Sequence, residues 1–171
     1  ANGTLFERLV RYDYDPTQDS LLNESVLLDS IPAAIYHNGS RLEIVGNYLY
    51  MTTGDASNIN LPQNINNLAG KVLRFNLSGS IPNDNPIANS PVYSWGHRNA
   101  QGLFYANGFL YSSEHGPNTD DEINIIEKGR NYGWPNVKGF CNLSSETTFC
   151  NDSNVVEPLF AWTPTVATSG I

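Results

Sequence analysis

Apolar and polar positions alternate along this chain in short runs, each stopped by turn residues. Arg41-Leu42-Glu43-Ile44-Val45 meets Gly46-Asn47 and returns as Tyr48-Leu49-Tyr50-Met51-Thr52-Thr53, a pattern that predicts a hairpin. The same grammar recurs as Gly102-Leu103-Phe104-Tyr105, Asn107-Gly108 and Phe109-Leu110-Tyr111-Ser112. Further strands are predicted from Leu9 to Tyr14 (ending at Asp15-Pro16), from Ser25 to Asp29 ahead of Pro32, from Lys71 to Leu77 and from Ile123 to Ile126. Helix signals are weak throughout. The Asn-rich stretch from Asn58 to Leu68 reads as a long functional or mobile loop with room for one short turn. Repeated hairpins, each followed by a polar loop and another strand, predict an all-β propeller rather than a sandwich. At roughly 40–50 residues per blade, 171 residues make about three to four blades. The stretch from Phe160 to Ile171 begins a strand with no terminating signal. The expectation is therefore one incomplete propeller domain over residues 1–171, truncated at the C-terminus and continued by more chain or completed by a second copy or another chain.

Composition narrows the function. A net charge of −8 and a pI near 4.6 exclude nucleic acid as the natural partner, because its phosphates are read by Lys and Arg. No apolar run approaches the ~20 residues of a membrane span. No basic segment followed by an apolar one opens the sequence, so an export signal is expected to have been removed or to lie outside it. Cys141 and Cys150 bracket a polar loop; two cysteines cannot complete a structural zinc site, and their spacing suits a local disulfide and an oxidising compartment. The Asn-x-Ser/Thr triplets carry little weight in a chain this rich in Asn and Ser.

The densest chemistry lies between Trp95 and Pro135. Arg98, Asn99 and Gln101 place a cation and two amides close together, and Asp120, Asp121 and Glu122 follow a Gly116-Pro117 turn. Hard oxygen atoms of this kind suit calcium and a polar, acidic small molecule. The ordered motifs Gly96-His97-Arg98-Asn99-Ala100-Gln101-Gly102, Ser113-Glu114-His115-Gly116-Pro117-Asn118-Thr119-Asp120-Asp121-Glu122-Ile123-Asn124 and Gly129-Arg130-Asn131-Tyr132-Gly133-Trp134-Pro135 resemble the glucose/sorbosone dehydrogenase family. That resemblance spans nearly the whole chain and implies a six-bladed β-propeller, a quinoprotein sugar dehydrogenase using pyrroloquinoline quinone and Ca2+. It also implies a sugar substrate, an electron acceptor and a periplasmic or extracellular location.

Carried onto this sequence, the resemblance implies His37 as the general base, Asp55 as its carboxylate partner and Arg98 as the cation beside the reactive carbonyl. Arg98, Asn99 and Gln101 would contact the cofactor. The backbone carbonyls of Gly116 and Pro117 would bind an active-site calcium, and Glu122 with the Tyr132 carbonyl a structural one. The residues alone leave other readings open: His37 as a turn residue beside Asn38-Gly39, Asp55 as a strand-end turn, Arg98 as a buried structural cation. His97 is expected to be a structural donor, pointing away from Arg98 by alternation. His115 stands where the best-known glucose enzymes have Gln, which leaves substrate preference open. The D-x-[DN]-x-[DN]-G spacing of an EF-hand is absent. A catalytically silent calcium-binding propeller used for binding or adhesion is the competing reading. A propeller lactonase is disfavoured by the Arg98-Asn99-x-Gln101 cluster.

Overall fold

The computed structural model describes residues 4–171. Among these, ten strands and one helix follow in the order β1 (Leu5–Asp15), β2 (Ser20–Ala33), β3 (Gly39–Val45), β4 (Tyr48–Thr53), β5 (Lys71–Asn76), β6 (Val92–Trp95), β7 (Ala100–Ala106), β8 (Phe109–Glu114), β9 (Asp121–Ile125), α1 (Ser144–Ser153) and β10 (Phe160–Trp162). Strands β3-β4-β5-β6 form one four-stranded antiparallel sheet, and β7-β8-β9-β10 form a second. Strands β1 and β2 pair with each other as a third, two-stranded sheet. The chain is thus part of a β-propeller, with two complete blades and a two-stranded sheet among the described residues.

Alternation along the strands divides the core in two. Leu49, Met51, Leu73, Phe75 and Val92 leave one face of the first blade and pack against Leu9 and Ile31 of the β1–β2 hairpin. Tyr50 and Val72 leave the opposite face and pack against Leu103, Leu110 and Ile126 of the second blade. A sheet buried on both faces shows as near-continuous burial from Leu49 to Thr53 and from Lys71 to Phe75, with Lys71 and Arg74 the charged exceptions to an apolar run. The first strands of the two blades, β3 and β7, face each other across the blade boundary. Their contact is tied by Arg41 Nε donating to the Gln101 carbonyl and by the Tyr105 N–H donating to Glu43.

Two expectations change. The segment between the cysteines is helical, not a loop. Helix α1 has no apolar stripe for a periodicity argument to find; Glu146 in its first turn suits the helix dipole, and the Cys141–Cys150 disulfide holds it. The Asn58–Leu68 stretch is a chain of tight turns rather than a single one. Main-chain bonds close at Leu61, Asn64 and Asn67, each three residues after the last, and the Asn58, Asn64 and Asn67 side chains accept N–H groups two residues on.

That stretch is fastened from beneath by Lys71, which is fully buried. Its ammonium donates to the carbonyls of Leu61, Pro62 and Ala69 at 3.1, 2.9 and 2.6 Å. Burial pushes this amine down to about 7, while three carbonyl acceptors match the three donors of the charged form.

Candidate functional site

His37 follows β2 with a left-handed φ of 64°, which turns the chain back toward β4. Its neighbour across the turn is Gly54, where a Cβ would stand 1.8 Å from the His37 carbonyl oxygen, so only glycine admits this approach. Asp55 is thereby placed beneath the imidazole, 1% exposed, and its Oδ1 accepts the His37 Nδ1–H at 2.9 Å. An ionised carboxylate only accepts, so this bond puts the proton on Nδ1 and leaves the Nε2 lone pair free as a base. The Ser57 N–H also donates to Oδ1, at 2.8 Å, and the Trp134 indole N–H to Oδ2, at 2.9 Å.

Arg98, Asn99 and Gln101 lie on the connection from the first blade to the second and at the start of β7. The Arg98 main-chain N–H donates to Glu114, and its Nη1 donates to the His115 carbonyl at 2.8 Å. Burial lowers the Arg98 pKa from its ordinary value, opposed by the carboxylates of Asp55, Glu114 and Asp121. Its Nε is buried without a partner among the described residues. Asn99 uses Oδ1 to accept the Gly39 N–H. His97 turns the other way, as alternation predicts: it is fully buried between the Ser94 hydroxyl and Glu114 and stacks on Tyr132 at 4.6 Å.

An open cleft of about 440 Å³ gathers His37, Arg98, Asn99, Gln101, Gly116 and Pro117 on one face of the blade pair, with Asp55 directly behind His37. Ile35 and Tyr36, 80% and 71% exposed, form its lip. A narrower pocket beside it has Gly116 and Pro117, expected at an active-site calcium, and Glu122 and Tyr132, expected at a structural one, among its lining residues.

The acidic run does not converge as its sequence suggests, and among the described residues no group of three or more His, Cys, Asp or Glu is placed to hold a metal. Asp121 turns inward and accepts the N–H groups of Gly116, Val166 and Ala167. Burial opposes its charge, but these bonds and the nearby His115 hold the carboxyl below the usual range. Asp120 accepts the Thr163 hydroxyl. Glu122 stays on the pocket, which Glu114 and Asp120 also line; burial first, and Glu114 second, push it up to about 8, and the Asn124 amide and Gly139 N–H satisfy it in part. A desolvated carboxylate beside main-chain carbonyls fits a hard cation. The unpartnered Arg98 Nε and the amides of Asn99 and Gln101 likewise fit an anionic, oxygen-rich cofactor.

Glu114, Gln63 and Trp134 are the participants that sequence reasoning missed. Glu114 and Trp134 stand inside the quoted motifs, whereas nothing in the Asn-rich stretch marks Gln63.

The fold and the site together define a propeller segment with a histidine–carboxylate pair and a guanidinium at one cleft. Residues 1–171 match the family model described as Glucose / Sorbosone dehydrogenase, and the chain belongs to that family. It is 44% identical over 154 residues to quinoprotein glucose dehydrogenase B of Acinetobacter calcoaceticus, covering 76% of this chain and 32% of the relative. The PQQ-bound aldose sugar dehydrogenase of Streptomyces coelicolor superposes with a TM-score of 0.80 at 36% identity, covering 91% of this chain and 45% of that one. The apo soluble aldose sugar dehydrogenase of Escherichia coli gives a TM-score of 0.85 at 25% identity, covering 99% and 53%. The chain therefore spans about a third of that curated relative and about half of these solved chains.

Proposed function

We propose that the whole protein is an exported quinoprotein sugar dehydrogenase that oxidises an aldose at C1, using pyrroloquinoline quinone with Ca2+ assistance. The observation that carries this reading is the opening of the His37–Asp55 pair onto the same cleft as Arg98, Asn99 and Gln101. Arg98, Asn99 and Gln101 would hold the cofactor, and Gly116, Pro117, Glu122 and Tyr132 would supply calcium oxygens. Pyrroloquinoline quinone, when bound, supplies the two-electron acceptor for the hydride leaving C1. His37 Nε2 takes the proton of the C1 hydroxyl as that hydride departs, so the sugar becomes a lactone. Asp55 fixes the tautomer that exposes Nε2 and stabilises the imidazolium that forms. Arg98 sets a fixed cation where negative charge grows.

The Cys141–Cys150 disulfide agrees with a periplasmic or extracellular location. Among the described residues no helix is long and apolar enough to cross a membrane. The rest of the ring would come from chain outside these residues or from a complementary chain.

The test supplies quinone and calcium to the full-length protein and screens aldoses with an artificial electron acceptor. Turnover that is lost in His37→Ala while cofactor affinity persists is the expected result. Cofactor binding without turnover on any sugar would leave a silent binding propeller instead.

A further inference from the structure

We infer that Trp134 is a positioning residue for the His37–Asp55 pair, mounted on the Asn58–Leu68 loop through Gln63. This rests on the reading of His37 as the base. Asp55 has two oxygens and three donors around them. Oδ1 receives the imidazole and the Ser57 N–H, and Oδ2 receives only the indole N–H at 2.9 Å. Rotation of the carboxylate about χ2 would turn Oδ1 away from His37. A donor on each oxygen fixes the plane and prevents that rotation. Indole is suited to the task because its N–H donates, never accepts and does not titrate, so it holds Asp55 alike at every working pH. The same ring lies 5.3 Å from the Arg98 guanidinium, so one side chain touches both halves of the cleft.

The main chain that carries the ring is held from behind. Gln63 Nε2 donates to the Trp134 carbonyl at 2.7 Å, and Gln63 and Asn131 exchange amide bonds in both directions at 3.0 and 2.8 Å. The Trp134 N–H donates to the Gly96 carbonyl. Gly96 has a φ of 78°, and a Cβ there would meet Asn131 Oδ1 at 2.3 Å and Gln63 Nε2 at 2.8 Å, so the amide pair packs where only glycine leaves space. Beneath Gln63, the loop is gripped at Leu61 and Pro62 by Lys71. A stretch with no chemistry of its own thus reaches the base through four linked contacts: Lys71 to the loop, Gln63 to Trp134, Trp134 to Asp55, Asp55 to His37.

The variant that isolates this role is Trp134→Phe in the full-length, cofactor-loaded protein, which keeps an aromatic ring and removes the N–H. The expected result is a ten- to hundredfold fall in kcat, the scale of a misoriented catalytic group, with KM, cofactor affinity and Tm near wild type. In the cofactor-free protein, the His37 Nδ1–H resonance should broaden through exchange with water. In Asp55→Asn, the indole resonance of Trp134 should shift while those of the other tryptophans stay in place. Gln63→Leu, which keeps the indole and loosens its mount, should lower kcat in the same direction by a smaller factor, and it serves if Trp134→Phe does not fold. Wild-type kcat with an intact His37 resonance in Trp134→Phe overturns the proposal, as does an equal loss of Tm, KM and cofactor affinity, which marks packing alone. Full kcat in Gln63→Leu removes the loop from it. Full turnover in His37→Ala sinks the parent reading instead, and the indole shift still reports whether Trp134 holds Asp55.

Discussion

The main chains of Asp55 and Arg98 are bonded directly: the Asp55 N–H donates to the Arg98 carbonyl at 2.7 Å. Asp55 lies just past the end of β4 in the first blade, and Arg98 leads into the second. The bond joins the His37–Asp55 pair to the Arg98 segment without using either side chain. The spacing of the two residues is thus set by backbone, while the side chains make their own contacts to His37, Trp134 and His115.

Asp55→Asn should cut kcat by about 10²-fold or more, because an amide no longer enforces the Nδ1–H tautomer of His37. The same change sets an NH2 group against either the indole N–H or the imidazole and Ser57 donors. At least one buried donor is then unpaired, and stability should fall by about 1–3 kcal/mol. Steady-state kinetics and chemical denaturation read the two effects separately; an unaltered kcat removes Asp55 from the mechanism.

Gly54→Ala should damage the site through the backbone alone. Its methyl would overlap the His37 carbonyl, so the turn and the strand end must part, at a cost of about 1–3 kcal/mol. Loss of turnover together with a lower Tm is expected, whereas Gly46→Ala, with open space around it, should cost only the strain of its left-handed φ and leave turnover intact.

Lys71 gives the stability a pH signature. Burial lowers its pKa from 10.5 to about 7, so between those values the unfolded chain binds one more proton than the folded one. Relative to Lys71→Met, wild-type stability should rise with pH across that window by up to about 1.4 kcal/mol per unit, and the difference should be flat below about 7, where both states are protonated. Denaturant titrations of both proteins from about pH 6 to 10 measure it. A flat difference throughout would mean that the three carbonyls offset desolvation in full.

Replacing Cys141 and Cys150 by serine should cost roughly 3 kcal/mol, the entropy of closing a loop of about ten residues. The loss should begin in α1, whose Leu143 N-cap supplies no side-chain acceptor. Hydrogen exchange should show α1 amides opening first while those of β4 and β5 stay protected.

Much of this architecture is legible in residue order. Turn pairs such as Gly46-Asn47 and Asn107-Gly108 mark the hairpins because they need unusual backbone conformations, and alternation beside them sets the strands. The family resemblance points to His37, Asp55, Arg98, Asn99 and Gln101, and the fold lines one cleft with four of them and sets Asp55 behind His37. The inward turn of Asp121 was hidden because its partners, Val166 and Ala167, lie far along the chain and offer only main-chain N–H groups. Helix α1 was hidden because a disulfide and one buried glutamate do the work that an apolar stripe usually does. Gln63 was hidden because an amide pair with Asn131 leaves no pattern in either segment.

The lip of the cleft behaves differently from everything beneath it. Ile35 and Tyr36 project into solvent, and neither side chain makes a hydrogen bond among the described residues. Substitution there removes little that folding depends on, whereas Gly54, Gly96 and Asp55 tolerate almost none. If the proposed sugar oxidation holds, a change of sugar has a direct route: redraw the rim by single substitutions at these two positions and leave His37, Asp55 and Arg98 untouched. A library confined to residues 35 and 36 should accordingly yield mostly folded proteins that differ in substrate preference rather than in stability.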